Sequence, residues 1–182
     1  MKAYNFSNFT LRLGAIFLLL LSIILFSGCS KSPVGNTDTN SGIRLLSRVP
    51  ADGTAFKILN LYSEQIISAS EGGRLELYDV ILDIPAGAVD NDTLFSISIP
   101  DVNVFYNEFG TSGLVFNVPV TVTMSYRDAD LSGIDVSTIR IAYLNEATGT
   151  YEDINCQIDY NNQVVIAELY HFSAYGLISD EQ

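Results

Sequence analysis

The chain is poor in the residues that most often carry chemistry. Its 182 residues include two cysteines, one histidine, no tryptophan, and 9 Lys+Arg against 21 Asp+Glu. The cysteines, Cys29 and Cys156, stand 127 positions apart, and a chain that relies on disulfides usually carries several pairs. The shortage of cations excludes nucleic acid, whose binding depends on Lys and Arg placed against phosphates. It also disfavours docking to anionic lipid headgroups. No serine lies in a G-x-S-x-G elbow, no H-E-x-x-H occurs, and no glycine loop is built to cradle a phosphate. Cys156 and His171 are what remains for a nucleophile and a base, and no third orienting group accompanies them. Cys156 reads more simply as a half-buried strand thiol and His171 as a satisfied sheet residue. The expectation is a protein without enzymatic activity or cofactor.

What the chain has in quantity stands at its start. Lys2 and Arg12 are the only charges before Cys29, and "LGAIFLLLLSIILF", Leu13 to Phe26, carries none. A basic start, an apolar run of this length and small residues behind it make a secretory signal. A retained transmembrane helix is the competing reading, but a spanning helix needs about 20 apolar residues. Ser27, Gly28 and Cys29 then resemble the lipobox of bacterial lipoproteins, with Phe26 where leucine is usual. The resemblance implies a signal peptide over residues 1–28. It further implies lipid attachment at Cys29 by diacylglycerol on the thiol, palmitate-type acylation, and a mature chain beginning there. That chain holds 7 Lys+Arg against 21 Asp+Glu, a formal charge of −14, so its membrane association must come from the lipid. Residues 29–42 have one aliphatic side chain, Val34, and read as a flexible tether.

From residue 43 to 182 the hydrophobic pattern has period two. In "VPVTVTMSY" Val118, Val120, Val122, Met124 and Tyr126 alternate with polar residues and Pro119; "LFSISIP" and "TIRIAY" repeat the pattern. "QVVIAEL" and "HFSAYGLI" read as two more strands. Turn signals fall between them at Glu71–Gly73, Asp90–Asp92, Asp130–Gly133, Ala147–Gly149 and Tyr160–Asn162. No window of eleven residues after the signal carries a helical stripe. The fold class expected is all-β, an antiparallel sandwich of about eight to ten strands, with strands over 94–99, 118–125, 138–144 and 164–169. Pro119, which cannot donate to a ladder, is expected at a strand start or an edge.

"EGGRLELYDVILDIPAGAV", Glu71 to Val89, resembles the opening of the ZU-five domain, a β-sandwich module of zona occludens proteins, netrin receptors and ankyrins. It shares the paired glycine, the strand and the Ile-Pro-x-Gly-Ala turn at Ile84 to Ala88. "LVFNVPVTVTMSY" is similar to that module's Phe-x-x-Pro-Val strand. "YHFSAYGL", Tyr170 to Leu177, is similar to the His-Phe-Ser strand that closes related bacterial surface modules. The likeness runs from about residue 71 to the C-terminus, with Tyr151 where the eukaryotic pattern has tryptophan. It implies an assembly or protein-contact module and no catalysis.

One loop has the look of a metal site. Asp128, Asp130, Ser132 and Gly133 copy the first half of an EF-hand calcium loop, but position twelve is Ile139 in place of the bidentate glutamate, and flanking helices are missing. Asp128, Asp130 and Ser132 are therefore weak candidates, and the simpler reading is a solvated loop whose side chains bond their own backbone. The expected protein is lipid-anchored in the bacterial cell envelope, on the outer membrane if there are two membranes and otherwise on the outer face of the plasma membrane. Its partners are the membrane, through the lipid, and an envelope or surface protein. The alternative is a small-ligand module for calcium or a glycan on the same sandwich. A convergent cluster of exposed aromatic and carboxylate groups in a groove would favour the ligand module, and a polar face with one apolar patch the contact module.

Overall fold

The structure, a computed structural model, describes residues 42–49 and 61–181. The signal segment, Cys29 and the tether up to residue 41 lie outside the described residues. Among the described residues twelve strands follow one another: β1 (Ile43–Leu45), β2 (Tyr62–Ile67), β3 (Gly73–Leu77), β4 (Val80–Ile84), β5 (Thr93–Ser98), β6 (Tyr106–Gly110), β7 (Val115–Ser125), β8 (Arg140–Asn145), β9 (Thr150–Asp153), β10 (Cys156–Asp159), β11 (Val164–His171) and β12 (Ala174–Asp180). The only helical element among the described residues is a 3-10 turn, Val136–Thr138. The expected all-β sandwich is what forms, with more strands than the eight to ten anticipated. The surplus are pieces of three or four residues, β1, β9 and β10, too short to show an alternation.

The strands form two antiparallel sheets. One has seven strands in the order β2-β5-β6-β12-β8-β9, with β1 beside the far half of β12; the other has five in the order β10-β11-β7-β4-β3. After β1 the chain crosses between sheets six times, at β2–β3, β4–β5, β6–β7, β7–β8, β9–β10 and β11–β12. The inward residues of each strand meet in one core, which includes Val120, Val122, Ile141, Leu177 and Ile97, all fully buried. The core is aromatic at one end. Phe172 touches Phe116 at 4.8 Å and Phe95 at 5.1 Å, both edge-to-face, and Phe109 at 5.7 Å between ring centroids.

Three details depart from the expected pattern. Pro119 sits neither at an edge nor at a strand start; it lies inside β7, between β11 and β4. Leu169 pairs with Val120 and His171 with Val115, so four residues of β7, Phe116 to Pro119, bulge opposite Tyr170. Pro119 is tolerated because the odd positions of β7 face β4, as the Ser125 N–H on the Asp79 carbonyl and the Asn117 N–H on the Ala88 carbonyl show, and on that side the pairing has already ended at Asp83–Thr121. The same bulge turns Val118 outward to 40% exposure, whereas the alternation holds from Val120 onward. "HFSAYGLI" is not one strand. β11 ends at His171, and the chain passes through Phe172 and Ser173 to start β12 in the other sheet. Finally, Thr138 ends the 3-10 turn, so β8 begins at Arg140.

Candidate functional site

The distinctive motifs are taken up by the crossings. At the β2–β3 corner the Gly72 N–H donates to the Ser68 carbonyl at 2.9 Å. Gly72 has φ +71°, and a Cβ placed there would run into the Ile84 carbonyl oxygen and stand 2.8 Å from Ala86 N and Pro85 C. The paired glycine therefore exists to let this corner lie against the Ile84–Ala88 turn. The turn is tied in reply by the Gly87 N–H on the Ala69 carbonyl, 2.8 Å, with Gly87 at φ +79°. The His-Phe-Ser stretch has the same character. Phe172 N–H donates to the Leu114 carbonyl at 2.9 Å and its ring enters the core.

The aspartate loop lies between β7 and β8. Asp128 Oδ2 accepts the Tyr78 hydroxyl at 2.7 Å. Burial and the Asp128 carboxylate push the Tyr78 phenol up to about 12. Asp130 Oδ1 accepts from the Ser132 N–H at 3.0 Å, and this bonding to Ser132 holds its carboxyl below the usual range. Asp135 Oδ1 accepts the Ser137 N–H at 2.9 Å and its hydroxyl at 2.6 Å, capping the 3-10 turn. Asp130 and Asp135 thus serve their own turns, and Asp128 ties the loop to Tyr78 of the β3–β4 turn. Among the described residues no three His, Cys, Asp or Glu side chains stand together to hold a metal ion.

One charged pair is buried between the sheets. Arg48 donates through Nε at 3.0 Å and Nη2 at 2.8 Å to Asp79 Oδ2, and through Nη1 to the Val104 carbonyl. Its guanidinium lies 4.3 Å from the centroid of Phe105. Burial raises the Asp79 carboxyl, against the opposing pull of Arg48. With all three nitrogens occupied, Arg48 ties the β3–β4 turn to the β5–β6 connection and offers nothing to a ligand. Removing either partner of such a pair costs about 3–5 kcal/mol.

The remaining chemistry converges at one groove of about 590 Å³ beside β11. Both Cys156 and His171 line it, so two residues singled out in the sequence do come together there. They do not form a dyad. Cys156 pairs with Ala167, and His171 lies four residues further along β11, about 13 Å at ~3.3 Å per residue. The His171 ring instead packs edge-to-face on Tyr143 at 5.2 Å, with its Nδ1 3.5 Å from the Tyr175 hydroxyl. That hydroxyl donates to the His171 carbonyl at 2.9 Å, and burial raises its phenol above the ordinary value. Glu168 and Tyr170, the latter 60% exposed, also line the groove, as do Asn155 and Gln157. Sequence reading passed over these four. The signal was present in "QVVIAELY", whose outward positions Ile166, Glu168 and Tyr170 alternate with the buried Val165, Ala167 and Leu169.

The chain matches no protein-family model and no curated protein.

Proposed function

We propose that this is a lipid-anchored protein of the bacterial envelope, held by Cys29, which presents a ZU-five-like β-sandwich as a non-catalytic contact module. The observation that carries the reading is the use to which the distinctive residues are put. Gly72, Ile84 to Ala88, Phe172, Arg48 and the loop aspartates are all engaged in shaping corners and crossings. That leaves the outer surface as the part free to act. The anchor rests on the lipobox-like Ser27-Gly28-Cys29 behind Leu13 to Phe26. A diacylglyceryl cysteine brings two acyl chains, each buried methylene contributing about 0.8 kcal/mol, where one chain alone binds only reversibly.

Mass spectrometry of the N-terminus from cells tests the anchor. The expected species begins at Cys29 and carries a lipid, and Cys29→Ala leaves an uncleaved, unlipidated precursor in its place. An unmodified thiol, or a mature chain starting elsewhere, overturns it. A second reading, a glycan-binding module, is favoured by one observation: Glu168 and the exposed Tyr170 side chain line the same groove.

A further inference from the structure

We propose that the notch where β10 stops is a strand-addition site for an extended, non-acidic peptide segment of a partner protein. The inference deepens the contact-module reading and rests on it. β10 covers β11 only through Cys156–Asp159, paired with Val164–Ala167. β11 runs on to His171, held on its other side by Thr121, Val120 and Val115 of β7. On the β10 side, residues Glu168 to His171 have no strand neighbour among the described residues. The reason is local: one residue before Cys156 the chain turns away, through Asn155 and Ile154, into β9 of the other sheet.

The open stretch is about 13 Å long at ~3.3 Å per residue, room for three or four residues of added strand. The bulge at this end places its extra residues on β7, so β11 itself stays a strand through His171. Strand addition draws affinity from main-chain hydrogen bonds and specificity from alternate side-chain slots. Here Glu168 and Tyr170 offer one face, and Leu169, His171 and Tyr175 line the other. Glu168 is the sole charged lining residue, and no Lys or Arg lines the groove. With a mature charge of −14 behind it, the notch repels acidic segments and favours basic ones. A glycan fits less well. Tyr175 is 2% exposed, leaving Tyr170 as the only large exposed ring in the notch. The Tyr175 hydroxyl already holds the His171 carbonyl, and the stretch from Glu168 to Tyr170, which has no strand partner on the β10 side among the described residues, matches a backbone.

The test is amide hydrogen exchange on the full chain with three acetylated, amidated hexapeptides: alternating valine and threonine ended by lysines, the same ended by glutamates, and the lysine form N-methylated along its backbone. The lysine form should slow exchange within Glu168–His171. The glutamate form should bind about tenfold more weakly, a difference near 1.4 kcal/mol, and the N-methylated form should give no protection. Glu168→Lys, an exposed change, should reverse the charge order. Protection at another edge, indifference to N-methylation, no protection by any peptide, or protection by a chitin oligosaccharide alone each overturns the proposal, the last in favour of the glycan reading. A photo-crosslinker placed at Tyr170, or at the exposed Ile66 of β2 at the end of the seven-stranded sheet, in intact cells separates the two levels. Capture of an envelope protein from position 170 that the lysine peptide competes away and the N-methylated one does not supports the notch, and capture indifferent to both defeats it. Capture from position 66 alone defeats the notch and keeps the contact module, and capture from neither defeats both.

Discussion

Phe172→Ala should be the most informative single truncation in the domain. The ring is fully buried where the chain passes from the five-stranded sheet to the seven-stranded one. It meets Phe116 of the first sheet at 4.8 Å and Phe95 and Phe109 of the second at 5.1 and 5.7 Å. Truncating a buried phenylalanine costs about 3–5 kcal/mol through lost transfer energy and the cavity left behind. Each aromatic pair adds about 0.5–1.5 kcal/mol beyond area. Three partners drawn from both sheets leave the site little way to collapse, so the cost should lie in the upper half, about 4–5 kcal/mol. For a domain of this size that is a fall of roughly 12–20 °C in Tm. Against a typical stability of about 5–15 kcal/mol the variant should still fold at 25 °C, so urea denaturation can measure it. Phe172→Leu should lose less than half as much. Tyr170→Ala, two residues away and 60% exposed, should stay within about 0.5 kcal/mol. A loss under about 1.5 kcal/mol for Phe172→Ala, or an equal loss at Tyr170, would refute the claim that this ring joins the sheets.

Other perturbations separate conformational from steric and electrostatic causes. Gly87→Ala should cost about 1–2 kcal/mol for its left-handed backbone alone, since nothing lies within 4 Å of the added methyl. Gly72→Ala, driven into the Ile84–Ala86 backbone, should cost clearly more in the same denaturation series; equal costs would contradict the packing of the two turns. Because burial holds Asp79 above its ordinary 3.8, the folded chain keeps a proton that the unfolded chain has released just above that pH. Stability should therefore fall as pH rises from 3.8 through the raised value. Asp79→Asn should remove that component from the pH profile of unfolding, and an unchanged slope would place its origin elsewhere. Millimolar calcium should leave Tm within about 1 °C, since saturating binding to the folded state would raise it. A rise of several degrees, abolished by Asp128→Ala with Asp130→Ala, would establish a calcium site in the loop.

The long alternating strands were legible because burial of one face imposes period two directly: Val120, Val122 and Met124 are buried, and Thr121 and Thr123 are not. The two departures at Pro119 and at Phe172–Ser173 were not legible. A bulge and a sheet-to-sheet crossing conserve the local hydrophobic count and change only which neighbour each residue meets. Pro119 looked like a breaker because a proline removes a ladder donor; its nitrogen faces the β4 side, where pairing has already ended at Asp83–Thr121 and there is no ladder bond for it to remove. The groove was hidden for a related reason. Glu168 and Tyr170 sit at outward positions of β11 that in a complete sheet would be ordinary surface. What singles them out is the length of a different strand, β10, which is fixed by where Ile154 and Asn155 leave for the other sheet.

The same geometry explains why an opening occurs on this side and not the opposite one. Each sheet has two edges, and consecutive strands join them in pairs: β2 to β3 through Ser68–Gly72, and β9 to β10 through Ile154–Asn155. At the first join the bridge between Ser68 and Gly72 and the packing of Gly72 on Ile84–Ala86 draw the edges together. The β3–β4 ladder there is complete, with all five residues of β3 paired. At the second join β10 supplies four residues against the eight of β11. The mismatch leaves the last four residues of β11 covered on one side by β7 alone. Of the devices that commonly blunt such an edge, charged side chains, proline and bulges among them, the stretch Glu168 to His171 carries only the single charge of Glu168. Glu168 points outward, Leu169 is buried, and the aromatic pair flanks the groove. Adding two or three residues to β10 by insertion after Asn155 should therefore close the notch without loss of fold. It should also remove peptide protection of Glu168–His171, which a change confined to side chains would not achieve.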